Sequence, residues 1–141
     1  MSDVFFKKTT RGQIIAGPSI LAKFLEDVKL YEKLSKGDFV GIKIHFGEKG
    51  NKSFINPKIF RSFISRLRKL KTKPFFFDTN TLYRGQRMNA VDHINLALSH
   101  GFSSAGIPIL IADGLKGKDY IEVEIDKKHY KKCFVSLLWK D

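Results

Sequence analysis

Three short stretches of the chain concentrate side chains able to do chemistry. "HFGEKGN" places His45, Gly47, Glu48 and Asn51 within seven residues. "DTNTLYRGQRMNAVDH" carries Asp78, Asn80, Arg84, Arg87, Asp92 and His93, and "ADGLKGK" carries Asp113. His45, Glu48, Asp78, His93 and Asp113 are oxygen and imidazole donors of the kind a divalent metal takes. Arg84, Arg87, Lys49, Lys52 and Lys116 suit a carboxylate or phosphate, and an arginine can grip either with two parallel hydrogen bonds. His45 or His93 would be the titrating group, since imidazole changes charge near neutral pH. No P-loop, Gly-x-Gly-x-x-Gly turn, His-Glu-x-x-His or Gly-x-Ser-x-Gly elbow is present. No reaction type follows from a motif.

Each residue also has a purely structural use. Asp78 can cap a turn through its carboxylate. Gly47, Gly50, Gly85 and Gly114 can supply the positive φ of turns. Asn89 and Asp92, three apart, suit a helix start without any ligand. The case for a site rests on three loops sharing the same kind of content.

The elements that must position these loops are readable from periodicity. Ile20, Leu21, Phe24, Leu25, Val28, Tyr31 and Leu34 recur at helical spacing, with Pro18 in the first turn, Ser19 as a cap and Gly37 as the stop. "DFVGIKIHF" alternates, with Phe39 and the pair Ile42/Ile44 serving opposite faces of a strand buried on both sides. "NPKIFRSFISRLRKLK" predicts a helix capped by Asn56, with Pro57 at its first position. "KPFFFD" and "IPILIADG" are apolar strands that each end in an acid, and "NAVDHINLALSHGF" is a helix capped by Asn89 and ended by Gly101. "DVFFKK" near the start reads as a short strand, and "YIEVEIDKKHYKKCFVSLLW" as a hairpin around Asp126 to His129.

Strands alternating with helices predict a single α/β domain over residues 1–141: an open, mainly parallel sheet with helices on both faces and a C-terminal β-hairpin. Ligands of such sheets bind beyond the carboxyl ends of the strands, which is where all three loops leave.

Composition bounds the partners. No apolar run reaches the roughly 20 residues of a membrane span, and "MSDVFFKKTT" lacks the apolar core of a signal peptide. One cysteine, Cys133, rules out an internal disulfide framework, so the expected compartment is the cytoplasm. The net charge of +12 favours anionic partners. Residues 56–73 alone hold seven basic side chains and no acidic one, the composition of a nucleic-acid surface, although the aromatic residues of that helix belong to its apolar stripe.

At "VGIKIHFGEKGN", "FFFDTNTLYRGQRMNAVDHINLALSHGF" and "PILIADGLKGKDYIEVEI" the chain resembles the family grouped as domain of unknown function 362, many of whose members are named iron–sulfur-cluster-binding proteins. The resemblance runs from about Val4 to Val135 and implies an α/β domain with these polar loops as its most characteristic feature. It also implies that the chain matches the N-terminal half of longer relatives, many of which end in a cysteine-rich [4Fe–4S] segment. With Cys133 alone, no iron–sulfur cluster is expected in this chain by itself. The leading expectation is a ligand-binding or catalytic domain, related to iron–sulfur redox proteins, that takes an anionic or metal-bound ligand. The alternatives are a non-catalytic fragment or interaction module, and third a nucleic-acid-binding role. An apolar end at Leu137, Leu138 and Trp139 predicts a homodimer through the hairpin.

Overall fold

The computed structural model describes residues 4–6, 8 and 18–139. β1 (Phe39–Lys43), β2 (Lys73–Asp78) and β3 (Ile109–Ile111) form a parallel sheet in sequence order, with Gly41 opposite Phe75 and Phe77 opposite Leu110. α1 (Pro18–Asp27) precedes β1, α2 (Arg61–Lys69) joins β1 to β2, and α3 (Ala90–Ser99) joins β2 to β3. β4 (Tyr120–Glu124) and β5 (Lys132–Ser136) make the separate antiparallel hairpin. The α/β class, the open parallel sheet and the C-terminal hairpin are as the sequence predicts.

Strand periodicity sets the core. Ile42, Ile44 and Phe46 are buried, while Lys43 and His45 between them are exposed. Phe76 of β2, fully buried, meets Phe60 edge-on at 5.3 Å and Phe102 at 5.4 Å. Phe63, Ile64 and Leu67 press α2 onto this layer, and Ala97 does the same for α3. Because successive crossovers are right-handed, strands added in one direction receive their helices on one side. α1 lies against α2 on that side, where Arg66 approaches Glu26 at 3.6 Å and Tyr31 packs on Phe63.

The expectation of helices on both faces is met on one. On the other, among the described residues, Phe39, Gly41, Phe75, Phe77, Leu110 and Leu138 line an open groove of about 980 Å³. Phe39, expected inside, is 74% exposed, with the Lys73 ammonium 4.5 Å from its ring centre. Gly41 suits this face because a Cβ there would come 3.0 Å from the Phe77 ring and 3.1 Å from the Phe75 ring.

Other differences have local causes. The first helix ends at Asp27 rather than running to Leu34, because Lys29 adopts a left-handed conformation (φ 56°) and a 3₁₀ turn, Leu30–Lys33, follows. Ser19 falls inside that helix, and its side chain lies outside the described residues, as does that of Trp139. Pro57 opens a 3₁₀ turn, Pro57–Phe60, ahead of α2, with Asn56 Oδ1 accepting from Lys58 N–H as expected of a cap. Of the stretch predicted as an N-terminal strand, Val4, Phe5, Phe6 and Lys8 are exposed and form none; Asp3 and Lys7 lie outside the described residues. No described helix is long and apolar enough to cross a membrane.

Gly41 should tolerate no branched side chain. Gly41→Val is expected to lower stability by about 1–3 kcal/mol through overpacking against Phe75 and Phe77. Thermal unfolding reads this, and an unchanged midpoint would show that the two rings yield freely.

Candidate functional site

The carboxyl end of β2 carries the centre of the polar cluster. Asp78 follows Phe76 on the helix-covered side, and its side chain is almost wholly buried. The loop after it folds back through a Thr81 N–H to Arg87 carbonyl bond of 2.9 Å and a turn closed by Met88 N–H on Gly85. This return brings the Arg87 guanidinium, 4% exposed, over Asp78. α3 then starts under an Asn89 cap, whose Oδ1 accepts from Asp92 N–H at 3.0 Å, and turns His93 inward to zero exposure.

Arg87 is the hub. Nη2 donates to Asp78 Oδ2 at 2.8 Å, Nε to His93 Nε2 at 3.1 Å, and Nη1 to Glu48 Oε1 at 2.7 Å. Nη1 also lies 2.6 Å from His45 Nε2 and 3.4 Å from the Tyr83 hydroxyl. The second Asp78 oxygen takes Lys43 Nζ at 2.6 Å and Thr79 N–H at 2.9 Å. Tyr83 in turn donates to Glu48 at 2.5 Å. Residues from the end of β1, the end of β2, the following loop and α3 thus meet around one buried cation.

Protonation follows from these contacts. Burial alone would raise the Asp78 pKa, but hydrogen bonds from His93, Lys43 and Thr79 N–H outweigh it and hold the group well below the usual carboxylate range. Glu48 has the same balance: desolvation upward, overcome by hydrogen bonds from Tyr83 and Arg87. Desolvation would lower Arg87, yet Glu48 and Asp78 raise it above its ordinary value. The hydrogen bond to Glu48 raises the Tyr83 phenol.

The two imidazoles differ. His93 Nε2 lies 3.3 Å from Asp78 Oδ2 as well as 3.1 Å from Arg87 Nε. With the proton on Nε2 the ring donates to the carboxylate; with it on Nδ1 the ring accepts from the guanidinium. Its buried Nδ1 has no hydrogen-bond partner among the described residues. His45 is exposed, and each ring nitrogen faces an N–H: Gly47 N at 2.9 Å on Nδ1 and Arg87 Nη1 on Nε2. A neutral ring can accept from only one of them, so the other N–H does not have the ring as its acceptor.

Not every residue singled out in the sequence joins this cluster. Asp113 sits at the neighbouring strand end, where both its oxygens accept from Asn80 N–H at 2.9 and 3.0 Å, and Asn80 Nδ2 donates to Gly114 carbonyl at 2.8 Å. Asn51 closes a local turn on Ser53. Asp92 accepts from the Asn89 amide at 2.7 Å and serves the helix start. Gly47 has φ 92°, and a Cβ there would meet Phe54 and His100 at 3.0 Å. Arg84 is exposed and makes no hydrogen bond or ion pair among the described residues.

The geometry gives the groups behind two of the expected roles partners within the protein. Arg87, read as an anion clamp, spends its guanidinium on the protein's own carboxylates and imidazoles. Of the residues considered for a divalent metal, His45, Glu48, Asp78 and His93 surround that guanidinium and Asp113 does not; the described residues contain no group of three His, Cys, Asp or Glu placed to hold a metal. Sequence reading missed Lys43 and Tyr83. Lys43 is two before His45 on an alternating strand, and Tyr83 is four before Arg87 in the same loop; each spacing was available as a signal.

Asp78→Asn removes the most deeply buried anion and leaves Arg87 without its main counter-charge, which should cost about 3–5 kcal/mol. The pH dependence follows from the depressed pKa. The unfolded chain takes up a proton near the ordinary aspartate value of about 3.9 while folded Asp78 does not. Its contribution is therefore complete above that value and is lost as pH falls through the folded value. Urea unfolding between about pH 7 and pH 3 should show a steeper acid loss in the native protein than in Asp78→Asn. Equal midpoints at neutral pH would refute a supporting role for the pair.

Among curated proteins and among solved structures nothing matches this chain. A family model does: the one described as Domain of unknown function (DUF362) matches residues 40–140, which span every member of the Arg87 cluster. The chain belongs to the DUF362 family of domains of unknown function.

Proposed function

We propose that the carboxyl edge of the parallel sheet binds a small anionic ligand, with His45 and Tyr83 facing it and Arg87, Asp78 and His93 holding them in place. One observation carries this reading: His45, exposed at the strand end, has an N–H donor against each ring nitrogen, which leaves one N–H that does not have the neutral ring as its acceptor. Charge points the same way. Lys43 and Arg87 are matched by Asp78 and Glu48, Asp92 serves a cap and Asp113 is satisfied by Asn80, while Arg84, Lys49, Lys52 and Lys116 are exposed cations on the same three loops. An imidazole and a phenol beside an anion site are groups able to move a proton. His93, sealed from solvent, serves as a positioning residue.

The test is a titration of the whole chain with inorganic phosphate and with succinate, followed by nuclear magnetic resonance. Saturable shifts are expected at the His45 ring, the Tyr83 ring and the Gly47 amide. His45→Asn or Arg84→Gln should weaken binding about tenfold, the equivalent of one lost charged hydrogen bond at about 1.4 kcal/mol. Shifts confined to other parts of the molecule would sink the proposal.

A second reading, self-association, has its own observation. Phe134 is 66% exposed and packs edge-on against Tyr120 at 4.9 Å, and Leu137 and Leu138, the two residues after β5, are 42% and 36% exposed. An apolar hairpin face of this kind supports a two-fold dimer. Light scattering should give a dimer mass that Phe134→Asp and Leu138→Asp convert to monomer. A monomer at micromolar concentration without substitution would exclude it.

A further inference from the structure

The exposed side of α2 is a second cationic surface, and unlike Arg87 its Arg61, Arg68 and Lys69 form no ion pair among the described residues, whereas Arg66 approaches Glu26. Arg61, Ser65, Arg68 and Lys69 form one wall of an open cleft of about 460 Å³, Ser104 and Ala105 form the other, and buried Ile64 is its floor. No acidic residue lines it among the described residues; Glu26 and Asp27 line the adjoining groove. Arg68 is held in place by donating to the Gly106 carbonyl. Arg61 and Lys69 make no hydrogen bond or ion pair among the described residues, and both also border the adjoining groove against α1.

We propose that this face binds the phosphate groups of a polyanion through Arg61, Arg68 and Lys69, with Ser65 and Ser104 as hydroxyl donors, and that the polyanion is a nucleic-acid backbone. Residues i, i+7 and i+8 of a helix stand about 10–12 Å apart along the axis, enough for more than one phosphate. The aromatic residues of this region, Phe60 and Phe63, are buried in the core, so no stacking platform faces outward. Binding is therefore of the backbone type, independent of base sequence and steeply dependent on salt. A membrane is a poorer occupant: the exposed large hydrophobic residues include none from α2.

The test uses the full chain and a fluorescent duplex DNA of arbitrary sequence, with anisotropy read at two salt concentrations. Three engaged cations predict an affinity loss of about 40-fold between about 50 and 200 mM salt; Arg61→Gln with Lys69→Gln should reduce that loss to about 3–4-fold. Lys127→Gln with Lys128→Gln, which removes the same charge from the hairpin loop, should leave the steeper dependence intact. Inorganic phosphate, compared with chloride at equal ionic strength, separates the sources. Equal competition assigns the face to the polymer backbone, whereas stronger competition by phosphate assigns it to single phosphate groups. No binding at the lower salt overturns the proposal. So does an unchanged salt dependence in the α2 variant, or an equal loss in the hairpin variant.

Discussion

The pairing of Arg87 with Asp78 constrains everything around it. A guanidinium and a carboxylate removed from water are tolerated only when their hydrogen-bonding capacity is met, and here it is met by groups from four different segments. The loop after β2 must return far enough to place Arg87, α3 must begin where His93 can turn inward, and the loop after β1 must bring Glu48 across. Such a pair adds little net stability over an apolar equivalent. It makes misplacing any of those segments expensive, and in that sense it fixes the arrangement of the carboxyl edge.

Below that edge the sheet is ordinary in its physics. Alternation along β1 sends Ile42 and Ile44 to the helix layer and Lys43 to the opposite side. The strand therefore supplies both the core that holds α2 and a cation that reaches Asp78. The phenylalanines of β2 divide the same way, Phe76 into the core and Phe75 and Phe77 beneath Gly41. One strand thus couples the interior packing to the chemistry at its end.

Much of this was legible in the residues. The helical stripes, the caps at Asn56 and Asn89, the stop at Gly101, and the convergence of the loops follow from periodicity and from parallel topology. The partners of individual polar groups were not. Nothing in "TLYRGQR" distinguishes an arginine that reaches outward, as Arg84 does, from one that folds back, as Arg87 does; that depends on where Asp78 lies after β2 is paired. Apolar content likewise could not say that only one sheet face receives the described helices. Phe39 and Leu110 have the composition of interior residues, and their exposure is a matter of which side the crossovers take.

The sequence order of the parallel strands has a kinetic corollary. Each pairing, β1 with β2 and β2 with β3, joins residues separated by a whole helix and its loops, so the chain entropy of closing those loops is spent before the sheet forms. The hairpin closes locally, between neighbours in sequence, and is tied to the end of β3 where Ser136 donates to the Ala112 carbonyl. The Arg87 cluster draws on the carboxyl ends of both β1 and β2 and on α3. It is assembled only when the slowest, most cooperative unit of the molecule is already in place, and it is lost when that unit opens.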